Sequence, residues 1–495
     1  MRKLAVILVV AVAIVSLGVV MNRSAEPDLG TDDPVARELY LEGNDHFYAL
    51  QLEQADARLR EALEQDPGFA MAAAALALTR ARQGHREQAA LLAARADSLA
   101  RSDPRPDRRA LVQLRLATYG LGEHAADRDS LLALMMETRP DDPEVLLARM
   151  QQLKAQNETA ELERLWRRII ERNPNHATAY NELGYLAFHR GEHEEAVRLL
   201  RRYAFLAPDL ANPHDSLGEV LMHLGRYEEA EQEFRKALSK QPRFLASHFN
   251  LARVYLARGE LQRGTDLLEK LREMTAGTVF EAEVFELAIG TYYTHELWEP
   301  LEATAAEYVV RYQDRPQSIF YRGLSLTHQG RGEAAQALMD SALTAWRAAA
   351  EGRDAARVAR KVASTEAQLN ALLCESRGDL AGAREHWARA LDLLGPVTAA
   401  HDLRFTREQY ASCLLETGEP QPALVVVSEI LQENPRQLRS LALAAEASLA
   451  LDQRDQARQF ARGLEQALAA ADPDYPLRAR LAELQRELAE DRPRS

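Results

Sequence analysis

The chain has 495 residues, 61 of them basic and 75 acidic, which gives a formal net charge of −14 at pH 7. This acidic balance argues against nucleic acid as a partner of the whole molecule. Two cysteines are too few for a disulfide framework or a cysteine-rich zinc site. Glycine and proline are scarce, at 24 and 20 residues, as expected for a chain built mainly of helices.

The first 35 residues differ from the rest of the chain. Arg2 and Lys3 precede the uncharged run 4–21, whose 18 residues reach the length of a membrane-spanning helix. These two charges favour the cytoplasmic side. We therefore predict an anchor or signal sequence over 1–21, a polar linker over 22–35, and a body on the extracytoplasmic (periplasmic) side. Secretion into the periplasm after signal cleavage is the alternative, although Arg23 fits poorly at the third position before a cut after Ala25.

A repeat follows this N-terminal segment. Prolines recur every 34 residues, at Pro106, Pro140, Pro174, Pro208 and Pro242. A fixed period of this length indicates a repeat architecture, in which each unit stacks on its neighbours. Each proline is expected to end the second helix of one unit and to set the entry to the next.

Small residues recur within the same register. In the unit 211–244 the informative positions are Leu217, Gly218, Gly225, Tyr227, Ala230, Phe234, Ala237 and Pro242. Small side chains let two antiparallel helices approach closely, because larger ones would overpack the contact. Gly225 supplies the turn between the helices, and Phe234 fills the space that the small residues leave. The unit 177–210 repeats the pattern with Gly184, Gly191, Ala196, Leu200 and Pro208.

This pattern closely resembles the tetratricopeptide repeat family, over nearly all of the chain after the N-terminal segment. The resemblance implies an all-α, right-handed superhelical solenoid of about twelve helix-turn-helix units, preceded by one transmembrane helix. We predict a regular array over 36–276, a more irregular array over 277–471, and a capping helix with a tail over 472–495. Residues 348–363 are expected to form an inserted or extended helix.

The resemblance also implies a groove lined by the first helix of each unit. Exposed aromatic side chains beside Asn and Asp are typical of a surface that holds a peptide or a helix. The alternative is that these rings pack against the next repeat. The predicted partner-binding residues are Asn181, Tyr185, Phe188, Asn212, Asp215, Glu219, Met222, Phe249, Arg253, Phe285, Tyr292 and Phe320.

The sequence offers little for catalysis. It has no glycine-rich phosphate loop and no nucleophile elbow. His189 and His193 have the spacing of metal ligands on one helix, but Gly191 places a turn between them. We therefore expect no enzyme, no metal, no cofactor and no small-molecule substrate. The basic runs 164–172 and 353–361 are typical of solvated helix faces, and Cys374 and Cys413 are expected to be buried thiols, with a disulfide as the alternative.

The function expected from these features is a non-catalytic scaffold of the bacterial cell envelope that binds a protein or peptide partner. Residues 177–271 also resemble repeats attached to bacterial Ser/Thr kinases and membrane-bound transcription regulators. A stand-alone sensory or regulatory arm of a signalling system is therefore one alternative. An accessory factor for the assembly of envelope polysaccharide or protein is another.

Overall fold

The computed structural model describes residues 28–490, except 49–50, 124–126, 141, 157, 279, 314–315, 349–354 and 395–399. Over these ranges the chain forms 25 α-helices and no strand, so the prediction of an all-α fold is confirmed. The predicted span 4–21 lies outside the described residues. None of the helices within them combines the length and the apolar character that crossing a bilayer requires.

The helices follow one another in antiparallel pairs. The first six pairs are Pro34–Tyr48 with Leu52–Gln65, Ala70–Arg82 with Arg86–Ser102, Pro106–Thr118 with Arg128–Thr138, Pro143–Ala155 with Thr159–Arg172, Ala177–His189 with His193–Leu206, and Ala211–His223 with Tyr227–Lys240. The next six are Leu245–Ala257 with Leu261–Thr275, Glu281–Thr294 with Trp298–Arg311, Pro316–His328 with Gly332–Ala348, Ala355–Ser376 with Leu380–Leu393, Ala400–Glu416 with Pro420–Glu433, and Leu438–Ala450 with Arg454–Ala467. A last helix, Pro476–Ala489, follows the twelfth pair.

Small residues bring the helices of a pair together, as the sequence predicts. A Cβ atom at Gly184 would lie 2.8 Å from Leu200 Cγ, and one at Gly43 would lie 2.7 Å from Leu59 Cγ. The large side chain at the corresponding later position, such as Phe234 in the sixth pair, is completely buried. Each pair leaves apolar surface that the next pair covers, and this stacking is the construction principle of a solenoid.

The exact period of 34 holds in only part of the chain. Helices that begin at Pro143, Ala177, Ala211 and Leu245 keep it. Pro106 does not end a second helix, so that interpretation was wrong: it is the first residue of the helix Pro106–Thr118. Proline is tolerated there because the first helical turn has no use for its missing N–H group. The longer turn 119–127 inside this third pair accounts for the shift in register.

The described residues divide into two compact units. The N-terminal unit runs to Val220 and includes Lys236–Arg243, whereas the C-terminal unit comprises Leu221–Arg235 and the chain from Phe244 onward. The sixth helix pair therefore contributes residues to both. The predicted boundary between 276 and 277 concerned the regularity of the repeats, and it stays a prediction.

Two irregular elements fall close to where the sequence places them. The helix Ala355–Ser376 has 22 residues, which makes it the longest of the described helices and extends the first helix of the tenth pair. The helix Pro476–Ala489 buries Leu481, Leu484 and Leu488 against the last pair. In this position it covers apolar surface that a terminal repeat would otherwise expose.

Candidate protein-binding surfaces

The twelve predicted groove residues differ widely in exposure. Seven are buried, with at most 8% of their surface exposed: Asn181, Asn212, Asp215, Met222, Phe249, Phe285 and Tyr292. Five are half-exposed: Tyr185, Phe188, Glu219, Arg253 and Phe320. The buried side chains are not accessible to a partner in this conformation.

The N-terminal unit keeps an accessible part of the predicted groove. The Tyr185 hydroxyl donates a hydrogen bond of 2.6 Å to Glu219 Oε2 on the next first helix. Burial and this carboxylate raise the pKa of Tyr185 well above its ordinary value, so the phenol stays protonated. The Phe188 ring lies 5.6 Å from the His189 ring and 5.8 Å from the His193 ring. Aromatic, acidic and imidazole groups thus share one half-exposed patch.

Other predicted groove residues of this unit face neighbouring helices. Asn212 Nδ2 donates a hydrogen bond of 3.1 Å to the hydroxyl of Tyr203, a buried residue on the second helix of the fifth pair. Asn181 and Asp215 are 0% and 1% exposed. Burial of such polar groups is tolerated only where hydrogen bonds replace water.

In the C-terminal unit the predicted aromatic strip serves packing between helix pairs. The Phe285 ring lies 5.9 Å from the Tyr308 ring, and the guanidinium of Arg272 lies 4.1 Å above it. The Tyr292 hydroxyl donates a 3.3 Å hydrogen bond to Glu269. These contacts follow the packing alternative that the sequence left open.

The half-exposed residues of that unit are also engaged. Arg253 stacks on Phe249 with 5.7 Å between the guanidinium and the ring centre. The Phe320 ring lies 5.2 Å from the Trp346 ring. The most accessible group of predicted residues that lie together is therefore Tyr185, Phe188 and Glu219.

A set of long-range contacts that the sequence analysis missed closes the C-terminal unit on itself. Asn434 Nδ2 donates a buried hydrogen bond of 3.0 Å to the Tyr227 hydroxyl. Arg436 donates two hydrogen bonds to the Glu228 carboxylate, at 2.6 and 3.0 Å. One repeat further on, Asp472 accepts from Gln262 N at 3.1 Å and its N–H donates to Gly259 O at 3.0 Å. We call these contacts the clasp.

Further contacts lie alongside the clasp in the same unit. The Tyr293 ring lies 4.6 Å from the Phe405 ring, and Arg439 pairs with Glu296 at 2.5 Å. Gln409 also donates to Glu296 at 3.0 Å. Helices far apart in sequence therefore occupy the side of Glu281–Thr294 where a bound peptide was expected.

The first repeats of the N-terminal unit are filled in a similar way. Arg115 is fully buried and donates hydrogen bonds to the Tyr40 hydroxyl at 2.7 Å and to Asn44 Oδ1 at 2.5 Å. It also forms an ion pair with the buried Glu144. The first helices of the first, third and fourth pairs are thus joined through one guanidinium.

The described part of the predicted linker is docked rather than free. Asp28 pairs with Arg105, with Arg108 at 2.5 Å and with Arg139 at 3.5 Å. The Thr31 hydroxyl donates a hydrogen bond of 2.6 Å to Asp66 Oδ2. Residues 28–31 therefore run along the turns that join the first four helix pairs. We call the line of these turns, together with the last two turns of the helices that enter them, the loop edge.

The histidines and cysteines considered in the sequence do not form a site here. His189 ends one helix and His193 begins the next. No three His, Cys, Asp or Glu side chains of the described residues converge as metal ligands would. Cys413 is buried and Cys374 half-buried, and both are free thiols. Burial and the nearby Glu375 raise the pKa of Cys413 to about 11, which keeps the thiol neutral.

Paired helices, glycine turns and stacked apolar faces define an α-helical repeat protein. Family models described as tetratricopeptide repeat match residues 153–211 and 221–281. The chain therefore contains tetratricopeptide repeats, and the matches fall where the period is exactly regular. Such repeats generally mediate protein–protein interactions and are typically non-catalytic.

Comparison with curated proteins gave no match. Among solved structures, the chain resembles the APC/C hetero-tetramer Cut9–Hcn1 at 15% identity and a TM-score of 0.44, covering 83% of this chain and 76% of that one. Yeast Tom70 matches at 14% identity and 0.34, covering 92% and 96%. The TPR domain of P58(IPK) matches at 19% identity and 0.25, covering 71% and 99%.

Proposed function

We propose that this protein is a non-catalytic scaffold that binds a protein or peptide partner through the N-terminal unit, at Tyr185, Phe188 and Glu219. The observation that carries the proposal is the contrast in exposure. These three predicted groove residues are half-exposed on neighbouring first helices, whereas most of the others are buried. Rigid aromatic rings beside a carboxylate suit a partner that supplies an apolar anchor and a hydrogen-bond donor.

The proposal includes a place in the cell. We propose that residues 4–21 anchor the chain in a bacterial membrane and that the repeats lie on the extracytoplasmic side. The motivating observations are the apolar run of 18 residues and the basic Arg2 and Lys3 before it. Attachment of a cysteine-reactive, membrane-impermeant label to the variant Ser239→Cys in intact cells tests this orientation. Labelling only after the cells are broken would overturn it.

Site-specific crosslinking tests the binding surface. A photo-crosslinking residue at position 188 should capture a defined partner in the native membrane, identified by mass spectrometry. The same residue at Val425, which is 52% exposed on a second helix of the C-terminal unit, is the control. Capture that is equal at both positions would contradict the proposal.

Substitution then tests which side chains matter. Tyr185→Ala with Phe188→Ala should weaken binding of the purified partner at least tenfold, since two aromatic contacts and one hydrogen bond are lost (roughly 1.4 kcal/mol per factor of ten). Phe320→Ala, a half-exposed aromatic in the C-terminal unit, is the matched control and should leave binding unchanged. Loss of binding in the control alone would place the site elsewhere.

A further inference from the structure

The loop edge of the N-terminal unit already holds one extended acidic segment. Residues 28–31 lie on it, with the Asp28 carboxylate surrounded by Arg105, Arg108 and Arg139. Leu29 packs against the apolar core of the first pairs, and Thr31 bonds to Asp66. Recognition here combines a carboxylate held by arginines with one apolar side chain. The segment covers the edge only as far as the turn after the third pair.

The same edge continues along the fourth, fifth and sixth pairs with a strong positive charge. The stretches 166–175, 200–209 and 236–243 contain eight basic residues and two acidic ones, in a chain whose net charge is −14. Arg168, Arg202 and Lys236 stand exactly one repeat apart, so they occupy equivalent positions on successive second helices. Arg168, Arg201, Lys236, Lys240 and Arg243 are exposed.

An exposed aromatic group lies within this basic region. Phe205 is 71% exposed, one turn after Arg201 and Arg202 on the same helix. The Arg202 guanidinium lies 5.1 Å from the Phe205 ring and 5.9 Å from the Tyr180 ring, and it donates a 3.4 Å hydrogen bond to Asn175. Arg202 is therefore held in a fixed orientation, with two rings beside it.

Helix stabilisation explains only part of the pattern. Basic residues near the end of a helix interact favourably with its dipole, so the charges alone would not require a ligand. That effect gives no reason to expose Phe205 to water between two arginines. An aromatic side chain that is fully desolvated only in a complex is typical of a binding surface.

We infer that the loop edge of the fourth to sixth pairs, at Arg168, Arg201, Arg202, Phe205 and Lys240, binds an extended acidic peptide segment that carries an apolar residue. Residues 28–31 show this mode of binding on the first pairs of the same unit. Arginine pairs recognise carboxylates through charge-assisted hydrogen bonds. This surface is distinct from that of the proposed function, and different substitutions test the two.

The experiment measures binding of a fluorescent peptide to the full chain in one detergent. The probe is a short peptide with several aspartates and one leucine, and the control peptide has asparagine at each aspartate. The acidic peptide should bind, with an affinity that falls as salt is added, and the asparagine peptide should not. Arg201→Glu with Arg202→Glu should weaken binding by more than about tenfold, because attraction is replaced by repulsion. Phe205→Ala should weaken it several-fold through lost apolar contact.

The matched control is Arg458→Glu with Arg462→Glu, which makes the same change of charge on an exposed second helix of the C-terminal unit. This variant should bind the acidic peptide as the unchanged protein does. Equal loss in both double variants would show a general effect of net charge and would overturn the inference. So would binding of phosphatidylglycerol vesicles, but not of the peptide, that depends on Arg201 and Arg202, since the surface would then face lipid.

Discussion

Asn434 donates a buried hydrogen bond of 3.0 Å to the hydroxyl of Tyr227, 207 residues earlier in the chain. Beside this contact Arg436 reaches Glu228 and lies 5.2 Å from the Tyr227 ring. A turn within one helix pair is thereby joined to the turn that follows the eleventh pair. Repeat proteins are usually stabilised by contacts between neighbours alone. The clasp adds contacts between distant repeats, so the C-terminal unit should open as one cooperative body.

Gly225→Ala should weaken the clasp. Gly225 has a φ of +73°, and a Cβ atom there would overlap the side-chain oxygen of Asn434. Gly330 has the same φ and nothing within 4 Å of such an atom, so Gly330→Ala reports backbone strain alone. Both variants should lose about 1 kcal/mol to strain, and Gly225→Ala about 1–3 kcal/mol more to overpacking. Hydrogen exchange at 434–437 should be faster only in Gly225→Ala. Equal exchange in the two variants would mean that the clasp is open in solution.

A charge exchange tests the ion pair of the clasp. Arg436→Glu should place two carboxylates together and speed hydrogen exchange at 434–437 several-fold, and the double variant Glu228→Arg with Arg436→Glu should restore most of the protection. Since the two side chains are 33% and 58% exposed, the effect should be about 1 kcal/mol and smaller in high salt. The control Arg458→Glu disrupts an exposed pair with Asp455 and should leave this segment unchanged. No recovery in the double variant would show that the ion pair does not hold the clasp.

Local patterns predicted the helix pairs well, because their signals lie within one repeat. The clasp shows where such patterns end. Asn173 before Pro174 and Asn434 before Pro435 look alike in sequence, and each side-chain oxygen accepts a 3.1 Å hydrogen bond from the N–H group two residues later. Only Asn434 also reaches Tyr227. That difference depends on how tightly successive pairs curve, which results from many packing contacts summed along the unit.

The candidate groove was predictable in position but not in accessibility. Phe188 and Phe285 were both assigned to the inner face from their place on a first helix. Phe188 is half-exposed, whereas Phe285 is 2% exposed beneath Arg272 and Tyr308. The identity of a side chain and its register indicate which way it points. Whether another helix covers it depends on partners more than twenty residues away.

Acid should weaken the loop edge of the N-terminal unit. Although burial raises the pKa of Asp107, hydrogen bonds from Arg139 and Arg105, at 2.5 and 3.0 Å, lower it to about 2. Because the pKa is lower in the folded than in the unfolded state, this contribution to stability is present above pH 3.8 and is lost as the pH falls towards 2. Allowing for solvent screening, it is about 1 kcal/mol. Hydrogen exchange at 103–109 should show the loss, and Asp107→Asn should reduce it. An unchanged pH dependence in that variant would assign the effect to other groups.

Arg115 and Glu144 should be more costly to separate than to remove together. The Arg115 side chain is fully buried and that of Glu144 is 8% exposed, so Arg115→Met leaves a carboxylate in the core without its partner. We expect the free energy of unfolding, measured in urea by the signal of the N-terminal unit, to fall by about 3–5 kcal/mol.

Arg115→Met with Glu144→Leu removes both charges and should recover much of that loss, because an apolar pair of similar size needs no hydrogen bonds. Tyr40 and Asn44 would still lose the hydrogen bonds that Arg115 donates to them, so recovery should be incomplete. Arg86→Met, at an exposed position on a second helix, controls for loss of an arginine and should change stability by less than about 0.5 kcal/mol. Equal losses in the single and double variants would show that the ion pair is not what joins the first, third and fourth pairs.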